Sequence, residues 1–142
     1  MVWKDKWSLE KLNSVHKNTM QEVLGIEFLE VGDDFIKARM PVNEKTKQPM
    51  GLLHGGANVT LAESLGSIAS VMCIDIEKQT VVGLEINANH LRAVRDGFVT
   101  GIAKPIHLGR STQVWEIKIF NDAGQLSCIS RITNAILERK SI

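Results

Sequence analysis

An α+β fold, with one long helix packed against a curled antiparallel sheet, follows from three features of the sequence. The first is a stretch from Ala57 to Cys73 that is apolar around most of its circumference, so it reads as a buried helix rather than a surface one. The second is the set of strand-like runs on either side, two before it and four after, joined by short polar turns. The third is size: 142 residues, 44% hydrophobic and 23% charged, suffice for one sizeable core. No internal repeat, low-complexity tract or long linker divides the chain, so residues 1–142 read as one domain.

The elements follow in order. Ser8 is a suitable N-cap for a helical lead-in over residues 8–23, with Leu9, Leu12, Val15 and Met20 as its apolar positions. Gly25 to Val31 and Phe35 to Val42 alternate at period two around Gly32-Asp33-Asp34, which predicts a hairpin. Asn43 to Met50 is polar and contains Pro49, so it is a loop. The long helix comes next, then a polar connector from Asp75 to Gln79. Four strands complete the chain: Thr80 to Leu91, Gly97 to Leu108, Ser111 to Phe120 and Gln125 to Leu137. A sheet covers only one side of such a helix, and its open edges tend to pair, so a dimer is expected.

Composition narrows the function classes. A net charge of +1 gives no overall electrostatic case for nucleic acid or an anionic membrane. The first residues lack the apolar segment of a signal peptide, and the longest apolar run is far short of a membrane span, so a cytoplasmic protein is expected. Cys73 and Cys128 lie far apart with no CxxC and no metal-ligand spacing; they read as buried small hydrophobes, and no metal site is expected.

The chemistry gathers on the long helix. One stripe of it is polar: Thr60, Glu63, Ser64, Ser67 and Ser70. A lone carboxylate in a buried helix is costly unless something uses it. His54-Gly55-Gly56 sits where the loop turns into the helix. Unpaired N–H groups and the helix dipole make that end positive, and glycine admits a close approach, so a carbonyl oxygen placed there would be polarised. The same glycines also suit a tight loop-to-helix turn. Gln48 offers an amide donor, His54 can orient a substrate or the loop, and Ser67 can hold a carboxylate or water; each also has an ordinary structural use. Gly55 and Glu63 are eight residues apart, about 12 Å at ~1.5 Å per helical residue. One small carbonyl group cannot touch both in one chain. If both act on one substrate, they come from two subunits. A second, basic group comprises His90, Arg92 and Arg95 after one strand, with Lys104, His107 and Arg110 at the end of the next. A subset at a hairpin end, with the Gly109-Arg110-Ser111 turn, suits phosphate binding.

Gln48-Pro49-Met50-Gly51-Leu52-Leu53-His54-Gly55-Gly56, then Leu61-Ala62-Glu63-Ser64-Leu65-Gly66-Ser67, resembles the hotdog-fold acyl-CoA thioesterases. Val82 to Arg92 (Val-Gly-Leu-Glu-Ile-Asn-Ala-Asn-His-Leu-Arg) is similar to the same branch, which includes 1,4-dihydroxy-2-naphthoyl-CoA hydrolases, aryl-carrier-protein proofreading thioesterases and Glu-type 4-hydroxybenzoyl-CoA thioesterases. The resemblance implies a hotdog fold, a dimer-of-dimers assembly and active sites at the dimer interface. It implies Glu63 as catalytic carboxylate, the Gly55 N–H as carbonyl donor helped by Gln48 and His54, and Ser67 as a positioning hydroxyl. Gly83, His90, Leu91 and Arg92, with His107, Leu108, Gly109, Arg110 and Ser111, would contact coenzyme A. No separate cofactor is implied, since coenzyme A is part of the substrate.

The expected reaction is thioester hydrolysis, with Glu63 as nucleophile or general base. The expected substrate is an aromatic acyl-CoA, with 1,4-dihydroxy-2-naphthoyl-CoA of menaquinone synthesis as the specific expectation. Medium-chain acyl-CoA and acyl groups on an aryl carrier protein are the alternatives. Acyl-thioester hydratases share the fold but usually pair a His with an acid, and a non-enzymatic acyl-CoA sensor need not keep the carboxylate; the Gln-Pro, His-Gly-Gly and Glu pattern favours hydrolysis over both.

Overall fold

The computed structural model describes residues 1–140; the end of the expected domain, at residue 142, lies outside them. Two short helices lead in, α1 (Leu9–Ser14) and α2 (Met20–Val23). They are followed by β1 (Glu27–Val31), β2 (Ile36–Pro41), the long helix α3 (Gly55–Met72), β3 (Gln79–His90), β4 (Phe98–Leu108), β5 (Thr112–Phe120) and β6 (Leu126–Glu138). The six strands form one antiparallel sheet in the order β1-β2-β4-β5-β6-β3. The sheet curls around α3, which packs against every strand from β2 to β6. This is the hotdog architecture. Among the described residues no helix is long and apolar enough to cross a membrane.

The core lies between α3 and the inner face of the sheet. Leu61, Leu65, Ala69 and Met72 of α3 are fully buried, as are Val99, Ile117 and Ile119 opposite them. Two glycines set the separation. A Cβ on Gly101 in β4 would lie 2.6 Å from Leu65 Cδ1, and a Cβ on Gly66 in α3 would collide with Ile132 Cγ2 of β6. Helix and sheet therefore approach more closely than two side-chain layers would allow, which fixes the position of α3 along and across the sheet.

Polar residues pin the far end of the helix. Ser70 Oγ accepts from Trp115 Nε1 at 3.0 Å and from Asn134 Nδ2 at 2.8 Å. The Trp115 ring stacks on Trp3, with centroids 5.9 Å apart, and Trp3 Nε1 donates to Gly32 O at 2.7 Å. The N-terminal segment is thus stitched across the end of α3.

Three expectations need correction. The lead-in is not one helix over residues 8–23. Ser8 does cap α1, accepting from Lys11 N–H, but the chain breaks at Asn18, which has φ 61°, and restarts at Thr19. Asn adopts the left-handed conformation at low cost, so His16-Lys17-Asn18 ends one helix and sets the entry to the next. Of the four expected apolar positions only Leu12 is buried; Val15 and Met20 are exposed. Nor does the polar stripe of α3 keep one environment along its length. Ser64 and Ser70 are buried, and Ser70 faces the sheet. Glu63, expected to be a buried carboxylate, is exposed in the single chain. Cys128 is buried and Cys73 half-buried, both free, and burial pushes each thiol up to about 11.

Candidate active site

The loop before α3 is built to hold one backbone N–H in place. Thr46 is buried; its Oγ1 donates to Pro41 O at 2.8 Å and accepts from Asn43 N–H at 3.0 Å. His54 N–H donates to Thr46 O, and Leu53 N–H to Val94 O, each at 2.8 Å. Gly51, at φ +80°, closes a turn by donating to Gln48 O at 2.9 Å. Pro49 occupies the second position of that turn, where its fixed φ fits. The Gln48 side chain accepts from Met50 N–H through Oε1, which leaves both Nε2 protons free to donate outward.

His54 is the N-cap of α3. Its Nδ1 accepts from Gly56 N–H at 2.8 Å, so Nδ1 carries no proton and Nε2 does. The cap satisfies Gly56 but not Gly55, whose N–H has no acceptor among the described residues. An unpaired donor therefore stands at the positive end of an eighteen-residue helix. The imidazole of His90, at the end of β3, packs against the Gly55 Cα: a Cβ there would lie 2.9 Å from His90 Nε2. Gln48, Gly55, Asn58, His90 and Arg92 line a concavity of about 310 Å³.

The carboxylate lies elsewhere. Glu63 has no ion-pair partner among the described residues. It projects beside Gly83 of β3, where an added Cβ would lie 3.4 Å from Glu63 Oε1. A side chain longer than a methyl at position 83 would crowd it. On its other side runs a groove of about 400 Å³, in which His16, Met20 and Gln21 of the lead-in face Glu63, Ser67 and Ile68. Burial lowers the pKa of His16, whose ring stacks on Phe28, which favours the neutral imidazole. The Thr60 and Ser64 hydroxyls donate back to the helix, to Gly56 O at 2.9 Å and Thr60 O at 2.7 Å. The Ser67 hydroxyl makes no such bond among the described residues, leaving it available beside Glu63.

The structure thus divides the expected site residues into two separate groups on one chain. Helix α3 is unbroken between Gly55 and Glu63, and its rise separates them by about 12 Å. The coenzyme-contact residues divide the same way. His90, Leu91 and Arg92 adjoin Gly55. Across the sheet Gly83 pairs with Asn134, Asn134 with Gln113 and Gln113 with Leu108, so the His107, Leu108, Gly109, Arg110 and Ser111 hairpin is level with Gly83 and Glu63. His90 is seven residues from Gly83 along β3, roughly 20 Å at strand rise. The basic residues therefore do not converge within one chain. Arg92 and Arg110 are exposed and unpaired among the described residues. Sequence reasoning missed Asn58, a buried amide in the first turns of α3 whose Nδ2 lies 3.4 Å from His90 Nδ1. A single Asn in an otherwise apolar helical run was its signal.

Residues 50–128, the span that carries Gly55, Glu63, His90 and Arg110, match the thioesterase superfamily. The chain belongs to that family. It is a thioester hydrolase of the hotdog type. It is 56% identical to the 1,4-dihydroxy-2-naphthoyl-CoA hydrolase of Escherichia coli over 137 residues, 96% of this chain and 100% of that one. The proofreading thioesterase EntH of Cronobacter turicensis is 48% identical, over 96% of this chain and 99% of its own. Among solved structures, a variant of the thioesterase PA1618 from Pseudomonas aeruginosa superposes with a TM-score of 0.97 at 50% identity, covering 98% of this chain and 100% of that one.

The cap makes a stability prediction independent of turnover. His54→Ala removes the acceptor for Gly56 N–H and lowers stability by about 1 kcal/mol, whereas His54→Asn, a good N-cap, retains most of it. Urea unfolding midpoints check this; an alanine variant as stable as wild type would show that the imidazole caps nothing.

Proposed function

We propose that two copies of this chain form each active site, one contributing the Gly55 N–H and the other Glu63, and that the site hydrolyses aromatic acyl-CoA thioesters. The observation that carries this reading is the separation of an unpaired backbone donor from an unpaired carboxylate by eight residues of straight helix. Neither alone can run the reaction, and one substrate carbonyl cannot reach both in one protomer. Strand β3 supports the pairing. It bonds only to β6, its outer edge is open, and Val82 and Leu84 on it are exposed at 41% and 61%. Joining two β3 edges would place two α3 helices antiparallel, the positive end of one facing the carboxylate of the other. Two such dimers then associate as a dimer of dimers.

In this reading the thioester oxygen sits on Gly55 N–H, with Gln48 Nε2 as a second donor. His54 holds the helix start, and Ser67 positions the water or the intermediate. Glu63 of the other copy either removes a proton from the attacking water or attacks the carbonyl carbon itself. In the first route the C–O bond to water forms, electrons move onto the carbonyl oxygen, and their return breaks the C–S bond. The thiolate leaves and is protonated by Glu63. In the second route Glu63 attacks the carbonyl carbon, the C–S bond breaks and the thiolate leaves, so a mixed anhydride remains on Glu63; water then opens it, releasing the acid and restoring the Glu63 carboxylate. Label from ¹⁸O water entering Glu63 in a single turnover selects the second route. Arg92 from one side and Arg110 with the Gly109 turn from the other neutralise the coenzyme phosphates.

The 56% identity to a 1,4-dihydroxy-2-naphthoyl-CoA hydrolase supports that acyl group as the physiological substrate. The 48% identity to a proofreading thioesterase supports acyl groups on an aryl carrier protein as the second reading. Comparing kcat/KM over aryl-CoA, medium-chain acyl-CoA and aryl-carrier-protein thioesters ranks them.

Glu63→Gln is expected to remove most turnover, by roughly a hundredfold or more, with the unfolding midpoint unchanged. A folded Glu63→Gln protein with near-normal kcat would refute the assignment. Arg92→Ala and Arg110→Ala should raise KM for acyl-CoA but not for the same acyl group on a short thiol. Equal effects on both substrates would show that neither guanidinium binds the phosphates.

A further inference from the structure

Asn58 has no assigned part in the reaction, yet it is the only buried amide at the Gly55 end of α3 among the described residues. It is 4% exposed, and its Oδ1 has no hydrogen-bond partner. Its Nδ2 faces one polar atom, His90 Nδ1, at 3.4 Å. A buried amide with a single polar neighbour is an expensive arrangement, since an unpaired buried oxygen costs about 1–3 kcal/mol. Leucine or valine would fill the same space without that cost.

The geometry points to Asn58 as a positioning residue that fixes the tautomer of His90. With Nδ2 the amide atom nearest Nδ1, its N–H calls for a lone pair there, which places the imidazole proton on Nε2. Nε2 is the atom that packs over Gly55. The His90 Nε2–H is then available at Gly55 and joins the Gly55 N–H and Gln48 Nε2 as a further donor to the developing oxyanion. With the opposite tautomer, Nε2 would present a lone pair to the same oxygen and repel it. Asn58 thus acts through His90 and touches no substrate atom. The inference rests on the reading of Gly55 as the carbonyl site.

Two measurements separate the inference from that reading. The ¹⁵N spectrum of the histidine-labelled protein, with the His90 signals assigned by a His90→Gln variant, reports which ring nitrogen carries the proton in the absence of substrate. Wild type is expected to carry it on Nε2. Asn58→Asp, isosteric but able only to accept, moves a proton onto Nδ1. Asn58→Ala, a good helix former that keeps the fold, gives a mixture of tautomers. In Asn58→Ala kcat should fall about tenfold with KM nearly unchanged, less than the roughly hundred- to thousandfold loss from deleting an oxyanion donor outright. A wild-type proton on Nδ1, or an Asn58→Ala protein with unaltered spectrum and kcat, overturns the inference while leaving the carbonyl site in place. A Gly55→Pro variant with wild-type kcat overturns the carbonyl site, and with it the catalytic role of the tautomer.

Discussion

The rigidity of one helix governs this protein. Between Gly55 and Glu63 the backbone is continuous α-helix, and its rise cannot be shortened by any side-chain adjustment. The positive end with its unpaired donor and the carboxylate are therefore held a fixed distance apart. That distance is too long for one thioester and suits two half-sites. The close contacts at Gly66 and Gly101 lock the same helix against the sheet, so it cannot slide to relieve the separation. In the proposed reading, catalysis by these two groups depends on a second copy of the chain.

The polar side chains of α3 divide by what they bond. Ser70 serves the fold, because Trp115 and Asn134 both donate to it in the interior. Thr60 and Ser64 are satisfied by their own backbone. Glu63 and Ser67 remain without partners among the described residues and face the groove. Helical geometry alone does not sort them. Ser70, seven residues on, and Ser67, four residues on, both lie within about 40° of Glu63 around the helix axis; the donors Trp115 and Asn134 take Ser70 into the interior, whereas Ser67 stays with the carboxylate at the groove. A stripe that looks uniform in sequence thus contains a structural anchor, two self-satisfied hydroxyls and a pair without partners among the described residues.

The fold was largely legible in the sequence. Period-two alternation located the strands to within a residue or two, and the apolar run with Gly-Gly at its start located α3. The helix rise alone set the separation of Gly55 from Glu63 before any coordinates, and α3 is unbroken between them. What escaped was set by tertiary context. The break at Asn18 depends on a left-handed residue that many helices could have avoided. The inward turn of Ser70 depends on donors supplied by Trp115 and Asn134, distant in sequence. The pairing of Asn58 with His90 depends on the end of β3 lying over the first turn of α3, which strand register decides and local patterning does not.

Mixed dimers test the two-chain site most directly. Gly55→Pro removes the donor while keeping the helix start, since proline is tolerated at a first helical position and the preceding His54 already has an extended backbone at ψ 133°. The added ring also displaces the adjacent His90 imidazole, so the variant disables the whole donor side of its half-site. Glu63→Ala removes the carboxylate. Each variant alone should be inactive. Co-expressed with different tags and purified as the mixed dimer, they should recover about half of wild-type kcat per dimer, because one of the two sites then combines an intact Gly55 with an intact Glu63. A mixed dimer as inactive as its parents would place both groups in the same chain's site and contradict the account.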